Sequence, residues 1–324
     1  MNRFLTPADK WRLWIVAVYM LVFSIAWPLT PIAVEWASFF VPYVLMGATA
    51  VTGLAYRGLK RDEGIAAACF VMAQLLLFCN FAELNNYLAL ELGRPPIDEF
   101  LAGIDRAAGL DWWSYVTWVK SGAVLGQFLT FAYESSLWQL VAAILFLGFT
   151  RRFERLDRLS LAFMLSGSIV IAVWAMFPNY GALALRYAQG FPEPAFYLTV
   201  SKKEAMELLA LYSGTVPPPR FHDITGLIGC PSFHAVMAVL TVRALWGIPL
   251  AGVAALAGNI LVLLSIPADG GHHFVDVAGG ILVAFLSAVF ANAIVRRTTV
   301  EQHLELASRG ALTLARQAPR FHKV

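Results

Sequence analysis

The sequence predicts an all-α polytopic membrane protein of about eight transmembrane helices, on three observations. Of its 324 residues, 59% are hydrophobic and only 14% are charged, whereas a soluble domain carries about 25% charged residues on its surface. The mean hydropathy is +0.66. Several apolar runs reach the roughly 20 residues needed to cross a bilayer. The net charge of +3 supplies no global basic field, so no nucleic-acid partner is expected. The three cysteines, Cys69, Cys79 and Cys230, form no disulfide framework.

Arg3, Lys10 and Arg12 precede the first apolar run. No small-residue cleavage site follows it cleanly, so it reads as a signal anchor and first span. The eight segments run approximately 13–33, 36–56, 64–90, 123–148, 159–177, 232–247, 249–267 and 273–295. The sixth and seventh are short. The fourth carries Gln127, Tyr133, Glu134, Ser135, Ser136 and Gln139, a content compatible with a broken or partly re-entrant segment lining a cavity. Basic clusters follow the second segment (Arg57, Lys60, Arg61), the fourth (Arg151, Arg152, Arg155, Arg158) and the eighth (Arg296, Arg297). They alternate correctly with an even number of spans. The positive-inside rule then puts both termini in the cytoplasm and residues 91–120, 178–231 and 267–272 outside, with the protein in a plasma or inner membrane.

Four regions are expected: N-terminal spans over 1–92, an external interfacial segment over 93–122, a membrane core over 123–297 with the external loop 178–231, and a cytoplasmic tail over 298–324. In the interfacial segment Ile97, Leu101, Ile104 and Ala108 recur at helical spacing, followed by Trp112, Trp113, Tyr115 and Trp118. That pattern predicts an amphipathic helix lying on the membrane surface. Lys202-Lys203-Glu204 opens another helical pattern, interrupted by the turn-rich Gly214–Arg220. In the tail, Leu304, Leu306, Leu312 and Leu314 predict an amphipathic helix.

Four of the six histidines fall between residues 222 and 273, and ionisable groups at membrane depth are costly and mark function. Gly229-Cys-Pro-Ser-Phe-His234 opens the sixth segment. Pro231 suits a first helical turn, which leaves the N–H groups of Ser232, Phe233 and His234 as an anion site at the positive end of a helix dipole. Gly270-Gly-His272-His273-Phe-Val-Asp276 opens the eighth. His272 and Asp276, four apart, share a helix face. A carboxylate on one imidazole nitrogen fixes the tautomer and frees the other as a nucleophile. His273, turned by about 100°, does not share that role. Each motif alone also fits helix packing or metal ligation; two on the same predicted side, each at a helix N-terminus, point to catalysis.

Pro231-Ser-Phe-His234 resembles the P-S-G-H signature of the phosphatidic acid phosphatase type 2 (PAP2) superfamily, and Ser265 through Gly271, His272 and Asp276 resembles its S-R-x5-H-x3-D signature. Pro267-Ala-Asp-Gly-Gly-His-His, with the external Pro96-Ile-Asp, Ile104-Asp-Arg and Leu110-Asp-Trp, is similar to the branch containing inositol-phosphorylceramide synthases. The resemblance covers about 95–285. It implies a PAP2-like helical core and metal-independent phosphoryl transfer without a cofactor. His272 would attack phosphorus to form a phosphohistidine, Asp276 would orient it, and His234 would protonate the leaving alcohol. Ser232, Phe233 and Gly271 would hold the phosphate, and the partners would be a lipid phosphate and membrane lipids. The chain departs from the pattern at Ile266, where the family has Arg, and it lacks the family's K-x6-R-P signature. Arg220 is the first candidate to supply the missing charge, with Lys203, Lys202 and Arg186 after it.

Tyr133, Ser136 and Gln139 fit the floor of a polar pocket, but helix–helix hydrogen bonding is the preferred reading; His222-Asp223 reads as a loop pair and Asp269 as a turn residue. Two further classes remain open. One is a metal or ion transporter using His272, Asp276, His273 and His234 as ligands. The other is an inactive lipid-binding relative, motivated by Ile266. An intramembrane serine protease is disfavoured, because Ser232 and His234, two apart, diverge on a helix.

Overall fold

The computed structural model describes residues 5–214 and 227–317, and it is helical throughout, with no strand among the described residues. Helix α1 (Pro7–Ala26) begins with a capping box in which Thr6 and Asp9 satisfy each other's backbone N–H, with Pro7 at the first helical position. Two short 3-10 turns lead to α2 (Phe40–Gly58), and α3 (Glu63–Leu90) starts at the Asp62 side-chain cap. Next come α4 (Asp98–Ala107), α5 (Trp112–Ser121), α6 (Ala123–Phe149) and α7 (Phe153–Met176). Short α8 (Ala182–Ala188) and α9 (Lys202–Tyr212) precede α10 (Phe233–Leu245), α11 (Ala251–Asp269) and α12 (Phe274–Gln317). Helices α1, α2, α3, α6, α7, α11 and α12 are long and apolar enough to cross a membrane.

The expected sixth span departs from this pattern. Helix α10 has 13 residues, about 20 Å, too short to cross alone. It is instead the centre of the bundle, packed by α6, α7, α11 and α12, and its middle turns (Ala235, Val236, Ala238, Leu240) are fully buried. Its first residue, Phe233, packs on Phe163 and approaches Gly167 of α7. Gly167 lies nine residues before Met176, the last residue of α7, or about 14 Å. At its other end Arg155, in the first turn of α7, donates to the carbonyls of Ala244 and Trp246. Helix α10 is short because it starts at the floor of a recess, and that recess holds the site.

Other expectations are corrected. The polar residues of the fourth segment do not break it: α6 is one continuous helix, with Gln139 bonded to Ser135 and Asn259. The last span and the tail form a single 44-residue helix. Arg12 is not a flanking surface charge. It is 1% exposed and bonded to Asp9, Gln74, Asp157 and Ser160, joining α1, α3 and α7; a buried cation needs such partners on every side.

The interfacial segment forms the helices α4 and α5, but α4 turns a different face inward. Its buried residues are Asp98, Leu101 and Asp105, while Phe100 and Ile104 are exposed. Helix α5 docks by its aromatic polar tips. Trp112 Nε1 donates to the Pro267 carbonyl and Tyr115 hydroxyl to the Leu264 carbonyl, around the proline inside α11. Close approach elsewhere rests on small residues, the usual device where lipid supplies no hydrophobic drive between helices. A Cβ on Gly148 would lie 2.7 Å from the Ala68 methyl.

Candidate active site

Helices α10 and α12 bring their N-termini together. Ser232, the residue capping α10, donates its N–H to the Asp276 carbonyl at 2.9 Å. A Cβ on Gly280 would sit 2.2 Å from the Ser232 carbonyl, so only glycine permits this crossing. Pro231 is therefore one residue outside the helix rather than in its first turn, after a cis Cys230–Pro231 bond. The Ser232 N–H is consumed, which leaves those of Phe233 and His234 from the expected anion site. The Ser232 hydroxyl makes no cap bond and lies 3.4 Å from Nε2 of His272.

His272 precedes α12 rather than sharing its face with Asp276. Gly271, at φ +64°, turns the chain so that the His272 ring folds back on the first helical turn. Its Nδ1 lies 3.3 Å from Oδ2 of Asp276, which also accepts the His273 N–H at 2.9 Å. Asp276 is fully buried and His272 is 6% exposed. With Nδ1–H donated to the carboxylate, Nε2 carries the free lone pair. His234 faces it, ring centroid to ring centroid 6.4 Å, and is held by stacking on Tyr133 at 4.4 Å.

His273 points away into a second set of carboxylates. Its Nε2 is 3.7 Å from Asp98 and its Nδ1 is 3.8 Å from Asp105. Burial opposes charging this ring, but the nearby carboxylates of Asp98, Asp276 and Asp105 outweigh it and raise its pKa above 6.5. For the Asp98 carboxyl burial itself is the raising cause, and it pushes the pKa up. Both acids also hold backbone. Asp105 accepts the N–H groups of Phe274 and Val275, capping α12 from another helix. Asp98 accepts those of Tyr180 and Gly181. Orphan donors of a helix N-terminus are thus satisfied by α4.

A cavity of about 410 Å3 opens over the imidazoles. Phe233, His234, Gly271 and His272 line it, with Tyr133 beside them; Phe78, Ala82 and Ile171 form an apolar wall. Glu83 and Asn86 of α3 and Glu204 of α9 also line it, and no Lys or Arg among the described residues does. Asn86 is 3% exposed and its Oδ1 has no partner.

Several expected residues lie elsewhere. Lys203 is 84% exposed and faces Glu207, and Lys202 faces Glu193. Arg186 stacks on Trp113 at 3.6 Å and on Phe191. Arg220, His222 and Asp223 fall outside the described residues. Ile266, at the position of the family's Arg, is fully buried against Ala132, Ala235 and Val262, which leaves no room there for a solvated cation. Asp269 is not a turn residue but a buried hub. Its Oδ1 accepts Lys120 Nζ (2.7 Å), Thr130 Oγ1 (2.8 Å) and Thr199 Oγ1 (3.0 Å).

A family model described as the PAP2 superfamily matches residues 99–290, more than half of the chain. The chain belongs to the PAP2 superfamily. No curated protein and no solved structure is significantly similar to it. The PAP2 match begins in α4 and ends in α12, and so takes in Asp105, both histidine motifs and the Tyr133 support, while Asp98 lies one residue before it. Glu83 and Asn86 lie before it. One signal for Glu83 was present in the sequence: a carboxylate within an apolar run of spanning length.

Proposed function

We propose that the chain is a lipid phosphatase or phosphotransferase that works through a phosphohistidine on His272, at the outer face of the membrane. One observation carries the reading: His272 is fixed through Nδ1 by a buried carboxylate, with Nε2 directed to a cavity that a second imidazole, His234, faces. In this reading Nε2 forms a bond to phosphorus as the bond to the leaving oxygen breaks. Protonated His234 gives its proton to that oxygen. Water or a second alcohol then attacks phosphorus, His234 takes its proton, and the N–P bond breaks. The N–H groups of Phe233 and His234 would hold the phosphoryl oxygens. Apolar walls beside the imidazoles suit a substrate with hydrocarbon chains. The ligand set of a transporter is less favoured, because His273 is engaged by Asp98 and Asp105 rather than turned toward His272.

Transfer to an alcohol, as in inositol-phosphorylceramide synthases, is favoured over hydrolysis by Glu83 and Asn86. Their oxygens accept hydrogen bonds from hydroxyls, and a carboxylate at Glu83 repels phosphate, so the pair suits an acceptor headgroup. The test is mass-spectrometric lipid analysis of membranes carrying wild type or His272→Asn, incubated with phospholipids in EDTA. The expected result is a phosphorylated or dephosphorylated lipid product that falls about 10⁴-fold or more in the variant. Free phosphate identifies a phosphatase; diacylglycerol with a new phosphodiester identifies a transferase. Identical lipids from both proteins over a broad substrate panel would overturn catalysis.

A further inference from the structure

The end of the bundle away from the histidines holds another cavity, of about 630 Å3, bounded by α7, α10, α11 and α12. Arg155, Arg158, Arg243 and Arg296 line it, and no carboxylate among the residues whose side chains are described does. Arg155 is engaged with the carbonyls of Ala244 and Trp246 at 3.0 and 2.7 Å. Arg158 pairs through one amino group with Glu154, while its Nε is buried without a partner. Arg243 and Arg296 are exposed and line the cavity, and neither makes an ion pair with a residue whose side chain is described. Beyond the arginines the wall is apolar: Leu159, Ala162, Val239, Leu256, Ile260 and Phe285. From Arg296 back to Phe285 it follows α12 for eleven residues, about 16 Å of helix.

We propose that this cavity binds an acidic phospholipid, its phosphate among Arg158, Arg243 and Arg296 and an acyl chain along the α12 wall. Guanidinium groups match phosphate geometry with paired donors, and basic pockets between transmembrane helices suit anionic headgroups. A diffuse topology-setting cluster needs neither a cavity nor an apolar wall, and a soluble anion would leave that wall bare. The lipid satisfies both ends of the volume. The proposal is independent of the chemistry at His272.

The full chain is reconstituted in lipid discs of phosphatidylcholine doped with phosphatidylglycerol, re-extracted in mild detergent, and its retained lipids are counted by native mass spectrometry. Wild type is expected to retain phosphatidylglycerol in preference to phosphatidylcholine. Each basic residue beside an anionic headgroup is worth about a fivefold change in partitioning, so Arg243→Gln with Arg296→Gln should lower retention about 25-fold. Arg152→Gln with Arg297→Gln removes the same charge outside the cavity and should leave it unchanged. Ile260→Trp fills the wall, keeps every arginine and should also expel the lipid, which keeps the test decisive if the double variant misfolds. Equal losses in the two double variants would reveal a diffuse charge effect and overturn the proposal. Equal retention of the two lipids by wild type, or full retention in Ile260→Trp, would overturn it too.

Discussion

The two ends of the α7–α10–α12 core use charge in opposite ways. At the histidine end Asp98, Asp105, Asp269 and Asp276 are at most 3% exposed, and each is bound to backbone N–H, a lysine or an imidazole. At the arginine end Arg243 and Arg296 stand exposed around a cavity. Buried carboxylates bonded in this way hold the imidazole and the backbone around it in place, which chemistry needs. Unengaged guanidinium groups keep their donors for something that arrives. One end is preorganised, and the other is receptive.

The largest effect separating the two ends is expected from Asp276→Asn. The amide N–H would face Nδ1 of His272, move the ring proton to Nε2 and remove the lone pair that, in the proposed reaction, would attack phosphorus. Turnover should fall by about 10²–10⁴-fold, measured on the lipid phosphate found for wild type. Arg243→Gln, also one charge but at the other end, should leave turnover within about twofold. Comparable losses from both would collapse the distinction.

Next in size is the α4 clamp. Asp105→Ala strips the acceptors from two N–H groups at the start of α12 and one partner from His273. Unsatisfied buried donors of this kind cost about 2–4 kcal/mol together. Thermal unfolding in detergent should show that loss, and Asp105→Asn, which keeps one acceptor oxygen, should recover part of it. A midpoint unchanged in Asp105→Ala would mean that α12 is held without α4.

These contacts also mark what was legible in the sequence. The spans and the His272–Asp276 and Ser232–His234 spacings are local patterns, readable because four residues of chain fix which groups can meet. Asp105 and Phe274 are 169 residues apart, and the apolar spacing of Ile97, Leu101 and Ile104 suggested a lipid-facing stripe. The same stretch turned its acids inward because α12 needed capping there. The shortness of the sixth segment, 232–247, was legible and α10 spans Phe233–Leu245, but the cause of that shortness was hidden for a related reason. Apolar residues continue to Leu250, but Gly247 at φ +76° follows the last helical turn, and the helix start is set by the recess, a tertiary feature. Lys120 and Asp269, 149 residues apart, show the same blindness to long-range pairing.

A smaller effect comes from pH. His273, with its pKa raised above 6.5 by Asp98, Asp276 and Asp105, binds its proton more tightly folded than unfolded. Its contribution is fully present below pH 6.5 and is lost as pH rises through the folded value. Asp98, raised by burial from 3.8, adds a loss of the same sign that begins at lower pH. The melting midpoint should therefore decline as pH rises above 6.5, and His273→Gln should flatten that decline. A profile equally steep in the variant would assign the titration to another group. The arginine end has no counterpart, since guanidinium groups keep their charge throughout this range.

The smallest effect tests the arginine end as structure rather than as a binding site. Arg155→Gln removes the donor to the Ala244 and Trp246 carbonyls, the C-terminal cap of the short central helix. Charged hydrogen bonds to buried carbonyls are worth more than this site should yield, because Trp246 is 60% exposed and water can replace the lost donor. The expected cost is about 1 kcal/mol, or about 2–4 °C in the midpoint, with turnover unchanged. Arg155→Lys, able to reach one carbonyl, should recover about half. A loss larger than that of Asp105→Ala would invert the ordering: the receptive end would then be the one that fixes α10, and with it the position of His234.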